Sequence, residues 1–392
     1  MPRTLRDLNV QGRTVFVRVD FNVPLTRTGE IADDARIVAA MPTLRLLRER
    51  RAARLVVASH LGRPKGRDPQ LSLRPIAARL AELLDSPVEL LPFDLDNARS
   101  TVVGSAEGAV LMLENTRYYD GEEENDPELA GRFAALADVY VNDAFGAAHR
   151  AHSSTEGVAR LLPSAAGLLL ERETAVLAGL LEAPKRPFIA VLGGAKVSDK
   201  ISVIESLLDR VDALLIGGAM ANTFALAQGL EVGKSLVERD QTETALDLVN
   251  GAYGSKLVLP VDYVVLESLE PEAAPATVAR DSVKPEVAIY DVGPETVRIY
   301  KDYIRGAATV FWNGPVGMFE DERCAAGTAA IAHAVAESKG YTVVGGGDSI
   351  AALNSVGCAD RIDHVSTGGG ASLEFLEGKT LPCVQVLEES HA

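Results

Sequence analysis

The chain has 392 residues, of which 47% are hydrophobic and 24% charged, and its formal net charge is −16. This length exceeds what one ordinary hydrophobic core supports, so we expect two domains of roughly 150–200 residues each. No apolar run approaches the ~20 residues of a membrane span, and the N-terminus has no apolar signal core, so we expect a cytoplasmic protein. Three widely separated cysteines without CxxC spacing indicate free thiols.

Positive charge is concentrated near the N-terminus. Residues 1–80 contain 16 Lys and Arg against 7 Asp and Glu, whereas the rest of the chain is strongly acidic. A solvated helix face accounts for residues 45–54. The other positive charges in residues 1–80 indicate instead that this part of the chain binds a small and highly anionic substrate.

Short apolar runs alternate with longer helical stretches, which is typical of a parallel sheet with helices on both faces. We predict strands over 14–19, 55–59, 109–113 and 138–142, and then over 188–192, 213–216, 256–260, 309–312 and 341–344. Between these two sets, residues 162–187 have apolar residues at helical spacing until Pro184 and Pro187. We therefore predict two doubly wound, Rossmann-like α/β domains joined by a helix, with a cleft between them.

Polar residues follow the predicted strand ends of the first half, namely Asp20, Asn22, His60, Arg63, Asn115, Arg117, Asn142, Asp143 and Arg150. Because ligands bind at the carboxyl ends of strands in open α/β sheets, we expect these residues to converge on one edge. Arg36 is expected to join them from a helix that Asp33 or Asp34 caps. Arginine grips carboxylate and phosphate groups with two hydrogen bonds, so the pattern indicates a ligand with several such groups.

Four glycine-rich segments follow predicted strands of the second half, at 193–201, 216–224, 312–320 and 345–349, and a fifth, 366–372, is another predicted helix entry. A single glycine triplet is as typical of a turn that binds nothing as of a phosphate-binding turn. Five such segments together indicate a site where helix N-termini bind the phosphates of a nucleotide. The sequence has neither a GxxxxGK[ST] P-loop nor the GxGxxG dinucleotide pattern. Lys196 and Lys200 lie four residues apart and share a helix face if that turn is helical.

Taken together, these motifs resemble those of phosphoglycerate kinases, in the same order and over essentially the whole chain. They are RVDFNVP (18–24), SHLGRP (59–64), LENTR (113–117), DAFGAAHRAHSS (143–154), GGAKVSDKI (193–201), WNGPVGMFE (312–320), VVGGGDS (343–349) and HVSTGGGASLEFL (364–376). The resemblance implies reversible phosphoryl transfer from 1,3-bisphosphoglycerate to Mg-ADP, giving ATP and 3-phosphoglycerate, by a monomer that bends at a hinge.

The resemblance also implies site residues. The phosphoglycerate site would contain Asp20, Phe21, Asn22, Arg36, His60, Leu61, Gly62, Arg63, Arg117 and Arg150. The nucleotide site would contain Gly194, Ala195, Lys200, Gly218, Asn313, Pro315, Glu320, Gly346, Gly347, Asp348 and Ser349, with Asp348 serving Mg²⁺ through the nucleotide. Arg36, Lys196, Gly347 and Gly370 would act on the phosphoryl group in transit. We expect a phosphoglycerate-binding domain over 1–164 and a nucleotide-binding domain over 185–377. An inter-domain helix and linker would occupy 165–184, and a C-terminal segment, 378–392, would pack on the first domain.

Some positions depart from the family pattern. Thr116, Tyr118 and Tyr119 stand where Leu, Phe and His are common, and Ala147 stands where Thr is common. The pair His149 and His152 has a spacing that suits a metal ion, but without further ligands nearby in sequence a structural role is preferred.

Two rival functions stay open. A nucleotide-binding dehydrogenase is disfavoured by the missing dinucleotide pattern and by the lack of a hydride-transfer constellation, and a nicotinamide-absorbance assay distinguishes it. A nucleic-acid binder that uses the basic N-terminal region is disfavoured by the overall acidity and the lack of interleaved aromatic residues. It would show steeply salt-dependent affinity.

Overall fold

The structure is a computed structural model that describes residues 3–389, and these form two compact units. The N-terminal unit contains the chain up to Ala175 together with the segment from Lys379, and the C-terminal unit contains Val176–Gly378. Each unit is built on a six-stranded, entirely parallel sheet with interleaved helices, so the predicted class of two parallel-sheet α/β domains is confirmed. Within the described range, no helix is long and apolar enough to cross a membrane.

The N-terminal unit alternates strands and helices along the chain, and its sheet has the strand order β3-β4-β2-β1-β5-β6. The elements are β1 (Thr14–Arg18), α1 (Ala35–Glu49), β2 (Arg54–Ala58), α2 (Arg74–Leu84), β3 (Val88–Leu90), α3 (Leu95–Gly104), β4 (Ala109–Met112), α4 (Pro127–Ala134), β5 (Val139–Asn142), α5 (Val158–Leu161), β6 (Ser164–Ala166) and α6 (Leu168–Glu182). The last of these, α6, contains the boundary between the units.

The central strands are apolar runs because helices cover both faces of a parallel sheet. Val15, Phe16 and Val17 of β1 are fully buried. Acidic caps start several helices. Asp94 accepts a hydrogen bond from Asn97 N at 2.9 Å before α3, and such caps satisfy amide groups that the helix itself leaves unpaired.

Helix α1 shows which of its two candidate caps acts. Asp33 Oδ1 accepts a hydrogen bond from Ala35 N at 2.8 Å. Asp34 instead forms an ion pair with Arg79 at 2.8 Å and makes no capping hydrogen bond. The start of the helix that carries Arg36 is therefore fixed by Asp33.

Two strands of this sheet were not predicted. β3 lies at one edge and is short and partly exposed, so it has neither the length nor the burial pattern of the central strands. β6 occupies Ser164–Ala166, inside the stretch predicted as a helix, and α6 begins only at Leu168. Serine and alanine have little intrinsic preference for strands, and β6 forms because it pairs with β5 at the other edge.

The C-terminal unit repeats this architecture, with the strand order β15-β14-β13-β7-β8-β9. Its elements are β7 (Phe188–Leu192), α7 (Ile201–Leu208), β8 (Ala213–Ile216), α8 (Ala219–Ala227), α9 (Thr242–Asn250), β9 (Leu257–Val258), β10 (Asp262–Leu266), β11 (Ala276–Ala279), β12 (Ala288–Val292), α10 (Pro294–Arg305), β13 (Thr309–Asn313), α11 (Ala326–Ala336), β14 (Tyr341–Gly345), α12 (Gly347–Ser355), β15 (His364–Val365) and α13 (Gly370–Leu376).

A second, antiparallel sheet with the order β11-β10-β12 belongs to the C-terminal unit and was not predicted. Its outer strand, β11, is mostly exposed, so it lacks the apolar run on which the other strand predictions depended. The predicted strand over 256–260 contains only the two residues of β9.

The last helix of the described residues is α14 (Pro382–Glu389), which packs against β6 and α5 of the N-terminal unit. Cys383 at the start of this helix is fully buried, and its backbone N donates to the carbonyl of Ala148 at 3.2 Å. Residues 390–392 of the predicted C-terminal segment, and residues 1–2 of the predicted first domain, lie outside the described residues.

Candidate active site

The strands β4, β2, β1 and β5 are neighbours, so the segments that follow them meet at one edge of the first sheet. We call this edge the N-terminal rim. It carries the predicted polar residues Asp20, Asn22, His60, Arg63, Asn115, Arg117, Asn142, Asp143 and Arg150, with Arg36 added by α1.

Asp20 lies at the centre of the contacts on the N-terminal rim. Its Oδ2 forms an ion pair with Arg36 Nη1 at 2.6 Å, and its Oδ1 lies 3.9 Å from His60 Nδ1. Asn22 Oδ1 accepts a hydrogen bond from Gly62 N at 2.8 Å. The segments after β1 and β2 are thereby held together.

Arg18, which we did not predict as a site residue, is fully buried at the end of β1. Its Nε donates to Ser154 Oγ at 2.9 Å, and its Nη2 lies 3.3 Å from His60 Nδ1. Burial holds the pKa of His60 well below its ordinary value, and the positive charge of Arg18 adds to that effect. The sequence did contain a signal for Arg18, since it is a charged residue inside a predicted apolar strand. Such a residue is rarely buried without a specific role.

Arg117 is anchored by its neighbours. Its Nη1 donates to Gly62 O at 2.6 Å, and its Nη2 pairs with Glu123 Oε1 at 2.8 Å. Burial lowers the pKa of Arg117, the carboxylate of Glu123 opposes that shift, and the charges of Arg150, Arg18 and Arg63 add to it. Arg63 and Arg150 are exposed. The rim is therefore a region where positive charge is crowded and only partly neutralised.

Three of the predicted ligand residues, Phe21, Leu61 and Gly62, have no polar side chain to offer at the rim. The side chains of Phe21 and Leu61 are buried, at 0% and 2% exposure. Phe21 N donates to Ser59 Oγ at 2.9 Å and Leu61 N to Asn115 Oδ1 at 3.2 Å. Together with Gly62, these residues shape the rim and do not present functional side chains to it.

His152 is buried beside the rim, and burial lowers its pKa to about 3, with the charges of Arg18 and Arg117 adding to the shift. Within residues 3–389, no group of three or more His, Cys, Asp or Glu side chains could hold a metal ion. His149 accepts a hydrogen bond from Arg150 Nε at 3.0 Å.

In the C-terminal unit, β15, β14, β13, β7 and β8 are also neighbours, so all five glycine-rich segments follow the carboxyl ends of adjacent strands. We call this edge the C-terminal rim. A cavity of about 510 Å³ opens there. Among its lining are six of the predicted nucleotide residues, namely Gly194, Ala195, Gly218, Pro315, Glu320 and Asp348.

Several glycines of this rim are required by the packing of its loops. A Cβ atom at Gly193 would lie 2.0 Å from Pro315 O, and one at Gly218 would lie 2.6 Å from Gly194 N. The loops after β7, β8 and β13 therefore touch backbone to backbone, which only glycine permits. These packed loops line the cavity through Gly194, Gly218 and Pro315.

Lys200 is half-buried just outside the cavity lining. Its Nζ donates to Asn313 Oδ1, and to the Asn313 carbonyl at 3.2 Å. Burial lowers the pKa of Lys200 to about 8, while the charges of Asp348 and Asp199 oppose the shift. Lys196 is exposed in the loop before α7, which begins at Ile201, so the turn that carries Lys196 is not helical and the two lysines do not share a helix face.

The N-termini of α12 and α13 are open. A Cβ atom at Gly347 or at Gly370 would meet nothing within 4 Å, so neither glycine is required by contacts within the protein. Space of this kind lets a ligand approach the free amide groups of a helix start. Ser349, by contrast, is fully buried, and its Oγ accepts a hydrogen bond from Gly314 N at 2.5 Å.

Asp348 and Asn313 complete the second site. Asp348 lies in the first turn of α12 and lines the cavity. Asn313 is buried at the end of β13, and its Nδ2 donates to Gly345 O at 2.9 Å. The carboxylate of Asp348, beside the open start of α12, fits Mg²⁺, which proteins usually bind through one or two carboxylates together with the phosphates of a nucleotide.

The sequence interpretation missed the wall of the cavity that β12 and residues near it form. β12 contributes Ile289, Tyr290 and Asp291, and Lys234 and Leu236 lie near them. Burial raises the pKa of Asp291 to about 7, although the amide groups of Gly327 and Val292 that donate to it oppose the shift. No sequence signal pointed to this wall, because β12 belongs to the sheet that was not predicted.

Comparison with known proteins gives the family of the whole chain. The family model for phosphoglycerate kinase matches residues 5–379. Phosphoglycerate kinase of Rubrobacter xylanophilus is 53% identical over 392 residues, which cover 99% of this chain and 98% of the relative. The solved structure of phosphoglycerate kinase from Coxiella burnetii has a TM-score of 0.90 at 42% identity. That from Pyrococcus horikoshii OT3 has 0.87 at 34%, and both alignments cover 99% of each chain. The chain belongs to the phosphoglycerate kinase family.

Proposed function

We propose that this kinase transfers a phosphoryl group reversibly between 1,3-bisphosphoglycerate and Mg-ADP, giving 3-phosphoglycerate and ATP, as a cytoplasmic monomer. The observation that supports it best is the pairing of an arginine-rich rim on one unit with a glycine-rich rim and cavity on the other. A small ligand with carboxylate and phosphate groups suits the first, and an extended nucleotide suits the second.

On the N-terminal rim, Arg63, Arg117 and Arg150 would bind the acid and phosphate groups of phosphoglycerate. The ion pair of Arg36 with Asp20, at 2.6 Å, orients the guanidinium, so Arg36 can direct its remaining N–H groups to a ligand. His60, held neutral by burial and by its neighbours, offers a hydrogen bond without adding charge. Asn22 and the backbone of Phe21, Leu61 and Gly62 would complete the site.

On the C-terminal rim, the cavity would hold the nucleoside, with Glu320 at its edge binding the ribose hydroxyl groups. Lys200 and the amide groups at the start of α12 would bind the phosphates. Asp348 would hold Mg²⁺ together with those phosphates, and the ion would supply positive charge that stabilises the transferred group.

The proposed chemistry has no covalent intermediate. Phosphoryl transfer depends on in-line placement and on neutralising the charge of the equatorial oxygens. Arg36 and Lys196, with the amide groups near Gly347 and Gly370, would supply that charge. The two ligands are bound by different units, so the proposal includes hinge closure that brings the reacting oxygens to about 3–3.5 Å and excludes water.

A direct assay tests the function. Purified protein is supplied with Mg-ATP and 3-phosphoglycerate, and the acyl phosphate is trapped with hydroxylamine. We expect product only when both substrates are present and a loss of at most twofold for the control variant Arg74→Ala, whose exposed side chain lies on α2. Absence of product, or product that forms without 3-phosphoglycerate, would overturn the proposal.

A further inference from the structure

The segment that carries Arg63 has little regular structure of its own. Residues 61–73 contain one short 3₁₀ turn, Pro69–Leu71, and two glycines with positive φ, Gly62 at 59° and Gly66 at 69°. We call residues 61–73 the Arg63 loop. Because glycine has many accessible conformations, such a loop keeps one shape only if other parts of the protein hold it.

Residues that follow β4 hold the two ends of the Arg63 loop. Glu114 accepts hydrogen bonds from Ser72 Oγ and from Leu73 N, both at 2.8 Å. Asn115 Nδ2 donates to Leu61 O at 2.7 Å and to Leu71 O at 2.9 Å. These contacts fix where the loop leaves and rejoins the fold, but they leave its middle unsupported.

Tyr118 contacts the middle of the Arg63 loop. The ring is buried, at 7% exposure, and its hydroxyl donates a hydrogen bond to the backbone carbonyl of Asp68. A phenylalanine ring would fill the same space but would leave that carbonyl without this donor. A second contact comes from Arg67, whose guanidinium lies 4.1 Å from the centre of the Phe93 ring.

Tyr119 provides a natural control beside it. It is buried to the same degree, at 8% exposure, and its hydroxyl donates at 2.9 Å to the carbonyl of Phe93, the residue that Arg67 contacts, and not to the Arg63 loop itself. Its ring stacks on Phe93 at a centroid distance of 4.6 Å. Loss of the Tyr119 hydroxyl therefore removes a similar hydrogen bond and keeps the stack.

We infer that Tyr118 is a positioning residue that holds the Arg63 loop, and with it the Arg63 guanidinium, in place for an anionic substrate. The inference rests on the proposed function for the identity of that substrate, 3-phosphoglycerate. Tyr118 acts through the loop and does not touch the ligand, so its effect depends on Arg63 being present.

The kinetic test is a double-mutant cycle with Tyr118→Phe and Arg63→Ala. A neutral hydrogen bond of this kind is worth about a threefold change in KM. We expect Tyr118→Phe to raise the KM for 3-phosphoglycerate by that factor and to leave kcat and the KM for ATP unchanged. In the Arg63→Ala background the same substitution should have no effect, because coupled positions are not additive. Tyr119→Phe should leave all three parameters unchanged.

Amide hydrogen exchange provides a readout that does not depend on activity. Tyr118→Phe should speed exchange in residues 63–70 of the ligand-free protein, and Tyr119→Phe should not. An equal KM effect in both backgrounds, a change in kcat, or unchanged exchange in the loop would overturn the inference. If the wild-type protein fails to phosphorylate 3-phosphoglycerate, the proposed function is wrong, while hydrogen exchange still decides whether Tyr118 holds the loop.

Discussion

The two units place their candidate sites at the same topological position but build them from different chemistry. The N-terminal rim uses charged side chains, including Arg36, Arg63, Arg117 and Arg150, whereas the C-terminal rim uses glycine backbone, helix starts and Lys200. Strand order determines where such a site lies, and the residues after each strand determine which ligand it suits. Arginines orient a compact, multiply charged molecule, while glycine loops admit a larger ligand whose phosphates approach the backbone.

The arginines of α1 show that positive charge near the N-terminus has a second use. Arg45 Nη2 donates to Leu83 O at 3.2 Å, and Arg48 Nη1 donates to Leu84 O at 3.1 Å, at the end of α2. Cations at a helix C-terminus satisfy unpaired carbonyls and interact favourably with the helix dipole. A solvated face is therefore an incomplete interpretation of residues 45–54, because part of that charge holds neighbouring helices together.

The largest expected effect concerns Arg36. If its guanidinium reaches the phosphoryl group in transit, Arg36→Ala should lower kcat by about 10²–10³, the range for removing one preorganised donor, with a much smaller change in KM for 3-phosphoglycerate. Steady-state kinetics with both substrates varied measure this.

The controls for Arg36 must account for Asp20, which loses its 2.6 Å ion pair in the variant. Arg36→Lys keeps a positive charge beside Asp20 and should be as stable as wild type by thermal unfolding, yet should recover only part of kcat because lysine lacks the planar fork. A large rise in KM with a normal kcat would show that Arg36 binds substrate and does not act in transfer.

The next effect tests whether the two rims are independent. Lys200→Ala should weaken Mg-ADP binding by about 1.5–3 kcal/mol, as expected for a charge-assisted hydrogen bond, and leave 3-phosphoglycerate binding nearly unchanged. Calorimetry with each ligand measures both affinities. Lys339→Ala, an exposed lysine of the same unit, is the matched control and should change neither. Equal losses for the two ligands would contradict the assignment of Lys200 to the nucleotide.

The affinities of the two rims for their ligands should depend differently on pH. Burial lowers the pKa of Lys200 to about 8, so the ligand-free protein loses this charge as the pH rises through 8. Nucleotide phosphates favour the charged form, so binding must then take up a proton, and Mg-ADP affinity should fall about tenfold between pH 7.5 and 9. Over this range His60 and His152 stay neutral because their pKa values are far lower, so 3-phosphoglycerate affinity should stay level.

A variant isolates that effect. In Lys200→Met the fall in Mg-ADP affinity between pH 7.5 and 9 should disappear. If it persists, another group titrates, and the lysine is not responsible for the pH dependence.

The sequence was sufficient for the parallel sheets, because their central strands are buried on both faces and form continuous apolar runs such as Phe188–Leu192. It was also sufficient for the position of the polar segments and of four glycine-rich segments, since these follow such runs, whereas 366–372 follows β15, which was not predicted. It failed for the short edge strands β3, β6 and β15 and for the antiparallel sheet of β10, β11 and β12. There, pairing with neighbouring strands decides the structure, and local propensity carries little information.

In the candidate sites, too, local sequence predicts some features and long-range packing decides the others. Arg117, Lys200 and Asn313 could be found from motifs. The contacts of Arg117 with Glu123 and of Lys200 with Asn313, and the burial that shifts the pKa values of Arg117 and Lys200, depend on long-range packing. Arg18 was missed because a charged residue in a predicted strand is seen in the sequence but its surroundings are not, and Asp291 was missed because its strand, β12, was not predicted.

The smallest effect concerns Arg63, which is exposed on its loop. Because water screens an exposed charge and competes for its hydrogen bonds, Arg63→Ala should raise the KM for 3-phosphoglycerate by only about five- to tenfold, at the lower end for a charge-assisted contact. The loss should be uniform in ground state and transition state, so kcat should not change. Raising the salt concentration should weaken substrate binding in wild type more than in the variant, since the variant has already lost one screened charge. A fall in kcat equal to the fall in kcat/KM would instead place Arg63 with Arg36 among the groups that act on the transferred phosphoryl group.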